Sequence, residues 1–253
     1  MMEPLVSVVI PAYNAAGYIT QAIDSALAQN VELELIVVDD ASTDGLDELI
    51  ERYCDEPRLR YLKNEKNMGV AFSRNRGVNE ARAEYVAFLD ADDIWRAGKL
   101  SRQLELIREK GTVICSTARE LMRMDGSTTR IIIPVKPEYT YEDLLIQNEI
   151  NCSSVLIKTS VAKEFPMYHE DCHEDYFMWL RVLGKYRRGC AINEPLLLYR
   201  VSTTGKSGNK LKSAGMTYKT LRRAGFGHLK CMKHFISYAY YGVKKYFFWF
   251  LWR

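Results

Sequence analysis

Short β-branched runs closed by polar residues alternate with segments of helical spacing through the first hundred positions. Val6-Ser7-Val8-Val9-Ile10, bounded by Pro11, reads as a buried strand. Ile19, Ala22, Ile23, Ala26 and Leu27 then fall on one face of a helix. Leu33 to Val38 predicts a second strand, ended by Asp39-Asp40, after which Ser42, Thr43 or Asp44 is placed to cap a helix carrying Leu46, Leu49, Ile50 and Tyr53. Arg60 to Leu62 predicts a third strand, Ala71, Arg74, Asn75 and Val78 a third helix, and Tyr85 to Leu89 a fourth strand. This order implies a doubly wound, mostly parallel sheet with helices on both faces, whose ligands bind outside the carboxyl ends of the strands.

Beyond Trp95 the pattern loosens. A helix runs through Leu100, Leu104 and Ile107, and strands are expected at 113–115, 131–133, 153–157 and 196–201, with a turn at Asp125-Gly126. Glu174 to Tyr186 predicts another helix. A boundary near 205, marked by Gly205, Ser207 and Gly208, gives a body at 1–205 (nucleotide-binding half 1–100, acceptor half 101–205) and a tail at 206–253.

The overall charge of +3 conceals a division that supports that boundary. Residues 200–253 hold twelve Lys and Arg and no acid, which leaves 23 basic and 32 acidic residues in 1–199. The tail is also aromatic, through Tyr218, Phe235, Tyr238, Phe247, Trp249 and Trp252, so an anionic membrane surface is its expected partner and nucleic acid, for which no binding motif is present, is not. The other reading of the tail is a helix packed on the body with its cations solvated. No apolar run reaches the roughly 20 residues of a membrane span, and the nearest, Phe235 to Trp252, is broken by Lys244 and Lys245. Six cysteines without paired spacing and a first strand that begins almost at once predict a reduced, cytoplasmic protein at the inner face of the cell membrane.

The polar residues that are costly to bury stand at the expected strand ends: Tyr13 and Asn14, Asp39 and Asp40, and Asp90, Asp92 and Asp93. Three carboxylates within Asp90-Ala91-Asp92-Asp93 repel one another unless a cation joins them, and an all-oxygen set suits Mn²⁺ or Mg²⁺. An acidic turn capping the helix from Ile94 is the other reading. Pro11-Ala12-Tyr13-Asn14 stands where a dinucleotide binder carries its glycine-rich turn, which excludes a dehydrogenase of that type. The cluster His169, Asp171, Cys172 and His173 matches no structural zinc spacing.

Four linked motifs then make a specific resemblance. VSVVIPAYN (6–14), VVDDASTDG (37–45), Asn67-Met68-Gly69 with Ser73-Arg74-Asn75-Arg76-Gly77, and AFLDADDIW (87–95) are similar in order and spacing to family 2 glycosyltransferases of the GT-A fold. The resemblance implies a donor-nucleotide set of Pro11, Tyr13, Asn14, Asp39, Asp40, Arg74 and Asp90, with the metal at Asp92 and Asp93. His173-Glu174-Asp175 resembles the family's Glu-Asp motif, which makes Asp175 the general base and Glu174 its neighbour in the site; acids at a helix start also compensate the helix dipole. Arg200 and Lys206 would lie on a basic segment that closes over a diphosphate. The Q-x-x-R-W motif of processive relatives is absent, which favours addition of a single sugar. The expected activity is inverting transfer from a nucleoside-diphosphate sugar, by the resemblance a UDP-sugar, to a hydroxyl of a glycan or lipid-linked acceptor in bacterial surface-polysaccharide assembly. A sugar nucleotidyltransferase and a non-catalytic binding module on a degenerate GT-A fold are the alternatives.

Overall fold

The computed structural model describes residues 3–168, 172–201 and 210–236. Four strands, β1 (Val6–Ala12), β2 (Leu33–Asp39), β3 (Leu59–Lys63) and β4 (Tyr85–Phe88), alternate with helices α1 (Ile19–Leu27), α2 (Leu46–Ile50) and α3 (Val70–Glu80). They pair in parallel in the order β3-β2-β1-β4, as the alternation predicts. The second half adds β5 (Ile94–Trp95), α4 (Lys99–Lys110), β6 (Ile114–Met122), β7 (Thr128–Ile133), β8 (Glu138–Thr140), α5 (Tyr141–Ile146), β9 (Leu156–Lys158), α6 (Thr159–Glu164), α7 (Glu174–Tyr186), β10 (Arg188–Arg200) and α8 (Lys210–Arg223). It continues the same sheet as β4-β9-β6-β10-β5, with β9 antiparallel to both its neighbours.

Side chains of β1 alternate between two cores. Val6, Val8 and Ile10 belong to the core shared with α1, α2 and α4 on one face, and Val9 to the core shared with α3, α7 and α8 on the other. Gly77 permits the close approach of α3, because a Cβ there would lie 2.4 Å from a methyl carbon of Val9. Helix α3 therefore packs closely on β1 and its neighbour β2.

Four local expectations are corrected. Helix α2 is not capped by Ser42, Thr43 or Asp44; Gly45, in the left-handed region at φ 78°, precedes it without a side-chain cap. The hydroxyl of Ser42 and the carboxylate of Asp44 instead accept the amides of Asn14 and Ala16, and so tie the loop after β2 to the loop after β1. Ile94 opens a short strand against β10, not a helix, so the Asp90–Asp93 acids cap nothing. The strand expected at 153–157 is one turn of 3₁₀ helix at Cys152–Ser154 followed by β9, because the Asn151 side chain accepts the Ser153 amide. The strand expected at 196–201 begins at Arg188; Pro195, which cannot donate to the ladder, lies between two register shifts rather than at a strand end.

Part of what the charge division sets apart is packed on the body. Leu221 and Cys231 are fully buried in the second core, and α8 lies against α7. Residues 237–253 of the tail, with most of its aromatics, lie outside the described residues, as do Lys206, His169 and Asp171. Among the described residues no helix is long and apolar enough to cross a membrane.

Candidate active site

The two loops that follow β1 and β2 form one rim of a crevice. Asn14, at φ 49°, donates its amide to Ser42 Oγ (3.0 Å) and accepts the Thr43 amide at Oδ1 (2.9 Å). Its place on the rim is thus fixed by a conformation that asparagine tolerates better than most residues. Tyr13 beside it is 51% exposed, an aromatic face free to stack, whereas Pro11 is buried within β1.

The doubled acid at the end of β2 is withdrawn into the protein. Asp40 accepts the Asn64 side-chain amide (2.6 Å) and the Met68 amide (2.8 Å) at Oδ1, and the Gly69 amide (2.7 Å) at Oδ2. Asp40, expected in the nucleotide pocket, thus also shapes the turn that leads into α3. Asp39 accepts the Ser42 amide (2.8 Å) and the Tyr61 hydroxyl (2.6 Å), and Lys63 stands 3.8 Å away. Asn64 and Tyr61 belong to this arrangement yet lie in no motif, and a lone Asn or Tyr gives no signal in the sequence.

The acids after β4 behave differently. Asp90 and Asp92 remain partly exposed. Burial, and then the neighbouring charge of Asp90, push the Asp92 carboxyl up to about 6. Asp93 is 1% exposed; its Oδ1 accepts the Arg200 amide (2.9 Å), and desolvation followed by the charges of Asp92 and Asp90 raises its carboxyl well above the usual range. Asp93, the other expected metal carboxylate, thus lies deeper than Asp90 and Asp92. Asp90 and Asp92 fit a hard divalent ion: two crowded carboxylates at a crevice gain from a shared cation, and such an ion takes one or two protein carboxylates and leaves its other positions to water and substrate phosphate. No cluster of three or more His, Cys, Asp or Glu side chains suited to a metal occurs among the described residues.

Arg200 stands beside the same turn. It is the last residue of β10 and is buried. Its guanidinium donates to the carbonyls of Asp92 (2.8 Å), Arg123 (3.2 Å) and Met124 (2.8 Å) and to Gln21 Oε1 (2.8 Å), and it lies over the Tyr18 ring. With these bonds made, it braces the acidic turn from behind. A second brace is Ser153, whose hydroxyl accepts the Asp90 amide (3.0 Å) and whose carbonyl accepts the Trp95 indole N–H (2.7 Å). No sequence signal marks Ser153.

Arg74 joins the two halves. It is buried on α3, and its Nη2 meets Asp90 Oδ1 at 2.5 Å while Nη1 meets Glu174 Oε1 at 3.2 Å. Asn75, the next residue, donates to the Met167 carbonyl (2.6 Å) and accepts the Met167 amide (2.9 Å). One helix of the first half thus fixes both the acidic turn and the start of α7. Asp175, beside Glu174 in the first turn of α7, is half-buried, and its Oδ1 accepts the Tyr176 amide (2.7 Å). Desolvation, then the charge of Glu174, raise the Asp175 carboxyl, while Arg74 and His173 oppose the rise. The His173 amide donates to Thr220 Oγ1 (3.1 Å), so α8 holds the approach to α7.

The sequence pattern of glycosyl transferase family 2 matches residues 7–161. A putative teichuronic acid biosynthesis glycosyltransferase, TuaG, of Bacillus subtilis (strain 168) is 36% identical over 249 residues, covering 96% of this chain and 98% of that protein. The UDP-Glc:alpha-D-GlcNAc-diphosphoundecaprenol beta-1,3-glucosyltransferase WfgD of Escherichia coli is 31% identical over 253 residues, covering 98% and 97%. Among solved structures, S. aureus TarS 1–349 in complex with UDP-GlcNAc superposes with a TM-score of 0.71 at 20% identity, over 87% of this chain and 65% of that one. The mannosyltransferase PcManGT from Pyrobaculum calidifontis, in complex with GDP-Man and Mn²⁺, gives 0.68 at 19% identity, over 94% and 69%. At these identities the superpositions speak to the fold, which is GT-A.

Proposed function

From membership of glycosyltransferase family 2, to which this chain belongs, we propose that it transfers one sugar, with inversion, from a UDP-sugar to a hydroxyl of a lipid-linked glycan. The observation that carries this reading is the Arg74 bridge, which sets the Asp90–Asp92 turn and the first turn of α7 on the same guanidinium. Acids that are 85 positions apart, Asp90 and Asp175, thereby serve one crevice.

In this reading the half at 1–100 holds the donor, with Tyr13 and Pro11 at the base, Asn14 on the rim, Asp39 in the wall and Asp90 at the ribose. The half at 101–205 shapes the acceptor side. A divalent ion at Asp90 and Asp92, Mn²⁺ or Mg²⁺, supplies Lewis-acid stabilisation of the leaving diphosphate when bound. The acceptor oxygen attacks the anomeric carbon as the bond to the diphosphate breaks, and its proton passes to the Asp175 carboxylate. A single base suffices for in-line attack with inversion. The raised carboxyl of Asp175 suits the task, since a base works best with a pKa drawn toward the working pH. Arg74, held between Asp90 and Glu174, positions both partners and is not itself open to the nucleotide.

The acceptor class follows from WfgD, whose name records a diphosphoundecaprenol-linked substrate. Such a substrate lies in a membrane, and the basic segment at 206–253 is proposed to keep the enzyme at the inner face of that membrane. Teichuronic acid biosynthesis in the TuaG name supports a surface-polysaccharide setting.

Asp175→Asn tests the chemistry. Transfer by that variant should fall by about 10²–10⁴-fold, the usual contribution of a positioned base. UDP with Mn²⁺ should still raise its melting temperature as it does for the parent, because ligand bound to the folded state stabilises it. Full activity in Asp175→Asn would remove the proposed base.

A further inference from the structure

Helical backbone continues at 228–236 after the turn that closes α8. One side of this segment is docked. Cys231 is fully buried in the second core, the His234 ring packs 5.4 Å from Phe226, and the Phe235 ring meets Tyr218 edge-on at 6.4 Å. The opposite side carries Leu229, Met232 and Ile236, exposed by 89%, 47% and 63%. At 100° per residue these three lie within an arc of about 60°, and Lys233 and then Lys230 follow on the next arc of about 100°. Both lysines are exposed.

An apolar stripe turned to solvent beside a row of cations, on a helix whose other face is already packed, matches an element that lies in a bilayer interface. The charge settles which surface it meets. No Asp or Glu occurs anywhere from 200 to 253, so nothing in the sequence of this region screens an anionic surface from Lys230 and Lys233. A neutral apolar partner would leave these lysines without a counterpart. We propose that the Leu229, Met232 and Ile236 face of this helix is the surface that docks on the anionic leaflet, with the three apolar side chains inserted and Lys230 and Lys233 at the headgroups. The inference rests on the membrane-side reading given above and names the residues that make the contact. Docking here has a consequence for the site: the segment is joined to α8, and α8 holds the residue before Glu174 through Thr220. The docked segment and the start of α7 are therefore linked through α8.

Flotation of the full chain with lipid vesicles tests the proposal. The parent should float with vesicles of mixed phosphatidylglycerol and phosphatidylcholine, less at high salt, and should not float with phosphatidylcholine alone. K230Q/K233Q should weaken the vesicle affinity roughly 10- to 30-fold, from the approximately fivefold that each lysine near an anionic surface contributes. L229S/M232S/I236S should weaken it at least about tenfold, from the lost insertion of apolar area. UDP-sugar hydrolysis in the absence of lipid should be equal in all three proteins, which shows that the variants are folded. Flotation of both variants at the parent's level overturns the docking face. So does a parent dimer in gel filtration that L229S/M232S/I236S converts to monomer without change in flotation, since the occupant would then be a second copy. Absence of hydrolysis in the parent would count against the glycosyltransferase reading and leave the flotation result to judge the docking face separately.

Discussion

Two acidic strand ends flank β1 in this sheet, and they are satisfied in opposite ways. At the end of β2, Asp40 receives three N–H groups, and Asp39 receives an amide and a phenol. At the end of β4, Asp93 alone is withdrawn, while Asp90 and Asp92 stay partly exposed and crowd each other. In sequence both are doubled acids after a hydrophobic strand. The difference lies in the supply of donors. The loop from Asn64 to Gly69 brings amides to the first pair, whereas the turn at Asp92 turns its own carbonyl toward Arg200 and leaves the carboxylate to find a partner from outside. A buried carboxylate with a full set of donors is structural; one left short of donors at a crevice is available to a ligand.

The sharpest test of this contrast is a pair of matched substitutions. Asp92→Asn should lower transfer at least about 100-fold, as expected for loss of a metal carboxylate at the leaving group, with no loss of melting temperature, since the ionised Asp92 is itself disfavoured by burial and by Asp90. Asp40→Asn should instead unfold more readily by about 2–4 kcal/mol, because its NH₂ would face donors where a charged acceptor stood. Thermal denaturation and a donor-turnover assay on both proteins separate the two outcomes. A stable, inactive Asp40→Asn protein would erase the distinction drawn here.

Next in size is the brace behind the open end. Arg200→Lys loses most of four guanidinium bonds. Mn²⁺ activation should shift to concentrations about 10- to 100-fold higher, the usual effect of losing a group that holds a metal carboxylate in place. Binding of UDP without metal should be unaffected, and a titration of Mn²⁺ against donor hydrolysis reads the difference.

The smallest effect concerns a cation on the same side. Lys99 is fully buried, donates to Gln103 Oε1 (2.8 Å) and lies 4.0 Å from the Trp95 ring centre, yet forms no ion pair among the described residues. Desolvation pulls its pKa down to about 7. Between about pH 7 and the unfolded value near 10.4 the unfolded chain binds the extra proton, so stability from this site rises with pH across that window. The parent should therefore gain on Lys99→Met by about 2 kcal/mol between pH 7 and pH 9. Urea unfolding of both proteins at the two pH values measures it, and an unchanged gap would mean that Lys99 keeps its proton in the folded state across that range.

The parallel half was legible because period-2 and period-3.6 patterns report local burial, and Val6 to Ile10 or Ile19 to Leu27 each carry their own signal. The second half was less so. Pro195, which lacks a backbone donor, hid the first part of β10, and the Asn151 side chain, by accepting the Ser153 amide, turned the start of an expected strand into a 3₁₀ turn; hydropathy encodes neither. The same limit governs the site. Asp90, Asp92, Asp175 and Arg74 could be named from motifs, but Ser153, Tyr61 and Asn64 could not, since each matters only for the partner brought to it.

By itself the sequence determined the order of elements, the family and the set of acids, because these depend on residue type and spacing along the chain. The tertiary structure alone decided which of those acids face the crevice. That choice turns on donors from distant segments, such as the Arg200 amide for Asp93 and the Met68 and Gly69 amides for Asp40. A carboxylate is made structural or available by how many hydrogen bonds reach it, and that number exists only once the chain has folded.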